Sequence, residues 1–221
     1  MQNINSVTRS AEGVLSTNRV LRNTYALLAD TLLFSGIMAA ISMAIAPPRG
    51  LAMICSLGGI GILMFLLPKF ENSASGIGIV FLATGLMGFG IGPMLSYYTA
   101  MPNGGAVVAT AMGGTGTIFL ALSAYVLTTK KSFEFMGGML FVGLIVVFGA
   151  AIINIFAQIP ALSIDVSSAS VLLMSGFILF DTSRIVNGGE TNYLRATVSM
   201  FINIFNLFTS LLHLLGIMSD D

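Results

Sequence analysis

The chain has 221 residues, of which 56% are hydrophobic and only 8% are charged, and its nine basic and nine acidic residues leave no net charge. A soluble domain normally has about a quarter of its residues charged because its surface must meet water, so this composition excludes a soluble globular protein. The balanced, scattered charges argue against nucleic acid as a partner, and the single Cys55 excludes a disulfide within the chain. We therefore expect an integral membrane protein.

Hydrophobic stretches of membrane-crossing length follow one another along the chain. Lipid offers no hydrogen bonds to the backbone, so each crossing should be a helix of about 17–25 mainly apolar residues. This length predicts seven spans, near residues 25–46, 50–68, 76–98, 104–128, 136–158, 161–183 and 194–217. The short connections place these helices in one all-α bundle, preceded by a tail of residues 1–24 and followed by a tail of residues 218–221. The polar N-terminal tail has no signal-peptide pattern, so we expect the first span to be retained as an anchor.

The basic residues indicate how the bundle is oriented. Eight of the nine fall on one side of the seven-span arrangement, namely Arg9, Arg19, Arg22, Lys69, Lys130, Lys131, Arg184 and Arg195. Only Arg49 falls on the other side. Because Lys and Arg favour cytoplasmic loops, we expect a cytoplasmic N-terminus and a periplasmic C-terminus. An arrangement of six spans, without the polar last one, keeps this sidedness and moves only the C-terminus.

Glycines concentrate in the third and fourth predicted spans. Gly88 and Gly92 are four residues apart, a spacing of small residues that lets two helices approach closely. Tight packing inside the bundle is the main interpretation, and a flexible or pore-lining helix is the alternative.

Polar side chains recur along one face of the last predicted span. Their spacing of three or four residues places them on a single helix face, and they are Arg195, Ser199, Asn203, Asn206, Ser210 and His213. Lipid cannot satisfy amide and imidazole groups, so this face should point into the bundle, with the other helices around it. Two interpretations stay open: hydrogen bonds between helices, or a water-accessible polar pathway.

Asp181 follows an apolar run near the end of the sixth predicted span. A carboxylate inside a bilayer costs at least about 2.5 kcal/mol, so it should be paired, hydrated or protonated. If the sixth and seventh helices are adjacent and antiparallel, Asp181 and Asn203 can meet. Alternatively, Asp181 is solvated at the cytoplasmic surface beside Arg184. For Asp30, about one turn into the first predicted span, we expect a solvated carboxylate near the interface.

Ser175 and His213 offer one faint catalytic comparison, because rhomboid-type intramembrane proteases pair a Ser and a His from separate helices. The Gly expected two residues before the Ser is replaced here by Leu173. The sequence contains no phosphate-binding loop, paired-Cys metal site or HExxH motif. We therefore predict no conventional enzyme, no metal and no cofactor.

Several stretches are more specific than general membrane patterns. They are residues 20–25 (VLRNTY), 123–129 (SAYVLTT), 188–193 (GGETNY), 195–199 (RATVS) and the closing 210–212 (SLL) with 215–216 (LG). At these residues the chain resembles the Bax inhibitor-1 (TMBIM) family, and the likeness covers nearly the whole chain. The resemblance implies a seven-helix fold whose last helix is central and surrounded by the other six.

The resemblance also implies two possible functions. In the calcium-leak members of the family, a carboxylate on the sixth helix pairs with one on the seventh as a pH-sensitive latch. Asp181 matches the first position, but Asn203 occupies the second, so a coupled pair of carboxylates is missing. A pH-sensitive calcium or cation leak along Asp181, Asn203, Asn206 and His213 is therefore the second hypothesis.

The first hypothesis follows from the bacterial members that the chain resembles most. Their likeness implies an inner-membrane modulator of FtsH, a membrane-bound, ATP-dependent protease that pulls in substrates from a cytoplasmic tail. Such a modulator is a poor substrate that occupies the protease and restrains its action on other membrane proteins. The expected partners are then FtsH, alone or with its membrane regulators, and membrane lipids. The polar residues 1–18, which we expect to be disordered, would suit the protease as a handle.

Overall fold

The computed structural model describes the backbone of residues 2–219 and the side chains of residues 17–219. Within this part of the chain, seven helices are long and apolar enough to cross a membrane. Numbered from first to seventh, these spans are Thr17–Ile45, Arg49–Phe70, Ser75–Thr99, Gly104–Thr129, Glu134–Ala157, Pro160–Val186 and Tyr193–Met218. They confirm the prediction of seven spans rather than six, and most of their ends lie within three residues of the predicted ones.

The first helix is longer than predicted. It runs Gln2–Ile45, so the backbone of residues 2–16 continues the helix of the first span instead of forming the disordered tail that we expected. Residues 2–24 contain no proline and one glycine, and nothing in this segment forces a helix to end. The side chains of residues 1–16 and the end of the predicted C-terminal tail, residues 220–221, lie outside the described residues.

Prolines interrupt two of the spans. The second span consists of an α-helix Arg49–Gly61, a π-helical turn Ile62–Leu66 and a last turn Leu67–Phe70. Pro68 has no N–H, and its ring would clash with the carbonyl four residues earlier, which explains the wider turn before it. The third span breaks at Ile91 for the same reason, just before Pro93, into helices Ser75–Gly90 and Gly92–Thr99.

The fifth span begins with a 3₁₀ turn, Glu134–Met136, which is followed by the helix Gly137–Ala157.

The seventh span lies inside the bundle, as predicted from its polar face. None of its residues from Ala196 to Ile217 is exposed. It packs most extensively against the sixth span, then against the fourth and the first, with a smaller contact to the third. The second span packs mainly against the third, and the fifth against the sixth, so these two complete the outer layer. Phe201 and Leu207, both fully buried, belong to the core around the seventh span.

The two glycines that predicted close helix packing do lie at a tight contact. A Cβ at Gly88 would collide with the backbone oxygen of Ser35, and a Cβ at Gly92 would collide with Ser42, both on the first span. In contrast, Gly105 and Gly113 of the fourth span have open space where a Cβ would lie. Close packing is therefore confirmed for the third span against the first.

The seven spans alternate in direction, which brings most basic residues to one end of the bundle. We call this the basic end; it carries Arg19, Arg22, Lys69, Lys130, Lys131, Arg184 and Arg195, whereas Arg49 lies at the opposite end. The turn between the sixth and seventh spans, which holds several residues of the site below, is also at the basic end.

Candidate functional site

Asp181 is the centre of a polar cluster between the sixth and seventh spans. Its side chain is only 7% exposed. Its Oδ2 accepts two hydrogen bonds from the seventh span, one from the Ser199 hydroxyl at 2.5 Å and one from Asn203 Nδ2 at 2.8 Å. Ser199 and Asn203 are four residues apart and so share a helix face. The predicted meeting of Asp181 and Asn203 is therefore present, and Asp181 is a buried, hydrogen-bonded carboxyl group rather than one solvated at the surface.

The turn that joins the two spans holds this cluster in register. Gly188, two residues after the end of the sixth span at Val186, has a φ of +79°, a conformation that favours glycine. The buried Glu190 accepts hydrogen bonds from the backbone N–H groups of Thr191 and Asn192 at 3.0 and 2.9 Å. Asn192 then caps the seventh helix by accepting from the N–H groups of Leu194 and Arg195. The first residues of the seventh span are thus placed by side chains within the turn itself.

A pocket of about 180 Å³ leads from the basic end to Asp181. Four charged side chains and one hydroxyl line it together with Ile185 and Ala196; they are Asp181, Arg184, Glu190, Arg195 and Ser199. Arg184 pairs with Glu190 at 3.5 Å, and Arg195 pairs with Glu71 from the turn between the second and third spans. Asn192 also donates to the Glu71 carbonyl at 3.0 Å, so this turn is tied to the seventh span. We call this space the Asp181 pocket.

His213 forms a second polar cluster, farther along the seventh span. Its Nδ1 lies 2.8 Å from the Ser167 hydroxyl, and its Nε2 lies 3.3 Å from the Ser163 hydroxyl, both on the sixth span. Ser175, the residue compared with a protease nucleophile, instead donates to the carbonyl of Val171 in its own helix. The structure therefore separates Ser175 from His213, and the faint likeness to rhomboid proteases does not hold.

The two clusters are separated by an apolar layer. Met174, Ile178 and Leu207 fill the space between the sixth and seventh spans at this level, and each is at most 5% exposed. Asn206 donates to the Ile202 carbonyl of its own helix, and Ser210 makes no side-chain hydrogen bond among the described residues. The predicted polar face thus consists of two separate contacts with the sixth span rather than one continuous row of hydrogen bonds.

The predicted site residues therefore divide into three groups. Ser199 and Asn203 meet at Asp181, His213 belongs to the second cluster, and Arg195 faces Glu71 at the basic end. Asn206 and Ser210 lie on the predicted face but join neither cluster. Sequence reasoning missed Glu71, Ser163, Ser167 and Glu190. Ser163 and Ser167 are four residues apart, the same kind of spacing that revealed the polar face of the seventh span, so a search of the sixth span for it would have found them.

A larger cavity of about 470 Å³ lies between the first, third, fourth and seventh spans. Its lining is almost entirely apolar and includes Gly36, Ala39, Met112, Gly116, Phe205 and Phe208. No ionisable side chain lines it, so it is distinct from both polar clusters. Among the described residues, no group of three or more His, Cys, Asp or Glu side chains is placed to hold a metal ion.

Comparison with known proteins links this arrangement to a family. Residues 17–220 match the family model described as the inhibitor of apoptosis-promoting Bax1. An uncharacterized membrane protein of Vibrio cholerae is 55% identical over 214 residues, which is 97% of this chain and 96% of that protein. The modulator of FtsH protease YccA of Escherichia coli K12 is 46% identical over 221 residues, 100% of both chains. A protein of Escherichia coli O6:H1 with the same identity and coverage is named inner membrane protein YccA.

Proposed function

The chain belongs to the family of the inhibitor of apoptosis-promoting Bax1, and we propose that within it the protein is a non-catalytic modulator of the membrane protease FtsH. It is a multi-pass inner-membrane protein with seven spans. The observation that carries the proposal is the full-length match, at 46% identity, to a protein named as a modulator of this protease. A match that covers the whole of both chains applies to the bundle and to its N-terminal extension alike.

The fold suggests how such a modulator would act. A processive protease needs a segment to grip, and the first helix begins at Gln2, so its first residues form an extension that precedes the span predicted near residues 25–46. With the N-terminus in the cytoplasm, as the distribution of basic residues favours, this extension is on the side where the protease pulls. We propose that residues 1–24 form this cytoplasmic tail, with residues 1–18 as the handle.

The same protein would be slow to degrade because its bundle resists extraction. To pull the first span out, the protease must separate it from the seventh, where Thr197 donates to the Thr24 carbonyl at 3.3 Å. The seventh span is in turn held to the sixth at Asp181 and His213 by hydrogen bonds that lipid cannot replace. A protease that has bound the tail but cannot extract the bundle would stay occupied for longer than it does with an ordinary substrate.

The proposal is tested by recovering FtsH with the tagged protein from detergent-solubilised membranes. Three versions are compared: the full chain, a chain without residues 2–18, and a matched control in which these residues are replaced by a Gly/Ser linker of equal length. We expect FtsH with the full chain and much less with the other two versions. Equal recovery with all three would contradict the role of the tail, and no FtsH with any of them would contradict the proposed function.

A second candidate function, a cation leak, is supported by the Asp181 pocket. This pocket brings a buried carboxyl group within reach of the basic end of the bundle. Ions would still have to pass the apolar layer of Met174, Ile178 and Leu207 before they reached His213. A leak therefore requires the sixth and seventh spans to separate at this layer.

Flux from liposomes tests the second candidate. If the Asp181 pocket belongs to a cation path, calcium or proton flux should fall when Asp181→Ala is introduced. Ser175→Ala is the matched control, because Ser175 lies on the same span but bonds only within its own helix. Equal flux in Asp181→Ala, the parent protein and empty vesicles would remove this candidate and leave the modulator as the only proposal.

A further inference from the structure

Asp30 lies on the outer surface of the first span, where the sequence predicted only a solvated carboxylate near the interface. Its side chain is exposed, as are those of Ala26, Leu33 and Ile37 on the same face. Leu33 and Ile37 are 69% and 58% exposed, which is normal for aliphatic side chains that face lipid. A carboxyl group in this position is unusual, because ionisable residues in membrane spans normally face the interior of the bundle.

Asp30 also lies well inside the membrane-spanning part of the first helix, as measured along the helix axis. Thr24 is level with Thr197, because the Thr197 hydroxyl donates to the Thr24 carbonyl at 3.3 Å. Thr197 is four residues past the start of the seventh span at Tyr193, and Asp30 is six residues past Thr24 in a helix that runs in the same direction. Ten residues at about 1.5 Å each place Asp30 roughly 15 Å from the basic end of the seventh span. If the basic end of the seventh span marks the membrane surface, a headgroup layer of about 5–7 Å places Asp30 within the hydrocarbon region.

A carboxyl group at this depth needs a hydrogen-bond donor from somewhere. Among the described residues, no side chain or backbone group donates to Asp30, and the two ion pairs of the bundle involve other residues. Hydrocarbon offers no donor. Asp has a single methylene and cannot reach the headgroups in the way that the long side chains of Lys and Arg do. A donor on another protein in the membrane would satisfy this carboxyl group without its being hydrated or protonated.

A second copy of this chain is a poor source of that donor. In a symmetric dimer through the first span, Asp30 would face the same carboxyl group of the other copy. No Lys or Arg occurs between Arg22 and Arg49, or in the interior of any other span. The amide and imidazole groups of the seventh span already bond within this chain: Asn203 and His213 to the sixth span, and Asn206 to the Ile202 carbonyl of its own helix. A different protein is therefore the better source of a hydrogen-bond donor for Asp30.

We propose that Asp30 is a docking residue for a transmembrane helix of another protein, and that this helix presents a cationic or amide donor at the depth of Asp30. The inference rests on the proposed function, which identifies the protein that carries this helix as FtsH. Ala26, one turn before Asp30, leaves room for the partner's backbone to approach. FtsH would then bind the protein at two places, at the cytoplasmic tail and at Asp30 within the membrane.

The test is site-specific photo-crosslinking in native membranes. A photoreactive residue replaces Ile37, which lies two turns from Asp30 on the same face, and a matched control replaces Ile145, an equally exposed position on the fifth span. Adducts are probed for FtsH. We expect an FtsH adduct at position 37 and little at position 145, and a decrease of about three- to tenfold at position 37 when Asp30→Leu is added. Asp30→Asn, which keeps a hydrogen-bonding group, should retain part of the adduct.

Thermal unfolding in detergent separates docking from folding. Asp30→Leu should unfold at the same temperature as the parent protein or higher, because it replaces a lipid-facing carboxyl group by an apolar side chain. An adduct with a second copy, equal FtsH adducts at positions 37 and 145, or an adduct that neither substitution weakens would overturn the inference. If the tagged protein recovers FtsH but position 37 gives no adduct, the inference is wrong and the proposed function stands. If the tagged protein recovers no FtsH, both the inference and the proposed function are wrong.

Discussion

Asn203 donates a hydrogen bond of 2.8 Å to Asp181, and this contact joins the seventh span to the sixth inside the bundle. Ser199 donates to the same carboxylate oxygen from one turn earlier. One acceptor with two donors is a satisfied arrangement, whereas two carboxyl groups at the same place would have to share a proton. The pair therefore serves as a fixed contact between two helices, and it differs from the two-carboxylate latch that the family resemblance implies for calcium-leak members.

Substituting Asn203→Asp should give a stronger pH dependence than the natural pair has. Two carboxyl groups this close share a proton at low pH, and ionising both places like charges side by side. The variant should therefore lose stability relative to the parent protein as the pH rises from about 6 to about 8. The loss should be on the order of 1–3 kcal/mol in the free energy of unfolding, measured by thermal or denaturant unfolding in detergent at both pH values.

The matched control for this prediction exchanges the two residues. Asp181→Asn combined with Asn203→Asp restores one carboxyl group and one amide at the same contact. Its stability should depend on pH in the same way as that of the parent protein. If Asn203→Asp alone is equally stable at both pH values, the two side chains do not meet in the membrane.

A double-mutant cycle should measure the energy of the contact itself. Asp181→Leu leaves the donors of Ser199 and Asn203 unpaired, and Asn203→Leu removes one of the two donors to Asp181. Each single change should destabilise the bundle, but the two together should cost less than the sum of the separate effects. We expect a coupling energy of about 0.5–2 kcal/mol, the range for hydrogen bonds between membrane helices. Additive effects would show that the contact contributes nothing of its own.

The cluster around His213 should respond in a graded way. Ser167→Ala removes the closer contact to His213, at 2.8 Å, and should lower the free energy of unfolding by about 0.5–1.5 kcal/mol. Ser163→Ala removes the longer contact, at 3.3 Å, and should have a smaller effect. Ser175→Ala is the control on the same span and should be close to neutral, since its hydroxyl bonds only to the preceding turn. If Ser163→Ala and Ser167→Ala are both as neutral as Ser175→Ala, His213 does not bridge the two spans.

Close packing between the first and third spans should be sensitive to one added methyl group. Gly88→Ala places a Cβ against the backbone oxygen of Ser35, which cannot move as a flexible side chain can. We expect a loss of about 1–3 kcal/mol in the free energy of unfolding. Gly113→Ala is the control, because a Cβ there meets nothing within 4 Å, and it should be neutral or slightly stabilising. Equal behaviour of the two variants would contradict the packing of the third span on the first.

Much of the fold could be predicted because lipid restricts what a chain can do. Each crossing has to be a helix of a certain length, so the apolar stretches located all seven spans. The spacing of Ser199, Asn203 and His213 showed that the seventh helix has a polar face, and a polar face cannot point at lipid. The meeting of Asp181 with Asn203 was one of two interpretations left open by the sequence, and it depended on the two helices being adjacent and antiparallel.

Other features depend on how each helix is rotated and on contacts between distant parts of the chain. Asp30 and Asp181 both lie in spans that are mostly apolar, yet one faces outward and the other inward. The contact between Glu71 and Arg195 joins residues more than 120 positions apart, and no local pattern marks it. The helical backbone of residues 2–16 was missed because polar composition indicates exposure to water, which a helix extending from the membrane can also have.

The measurement that tests the central claim most directly is the rate at which FtsH degrades a second membrane substrate in proteoliposomes, with and without this protein. We expect degradation of that substrate to slow as the full chain is added, while the added protein itself is degraded more slowly than the substrate. The version with a Gly/Ser linker in place of residues 2–18 should slow degradation of the second substrate much less. An unchanged rate with an excess of the full chain would contradict the account.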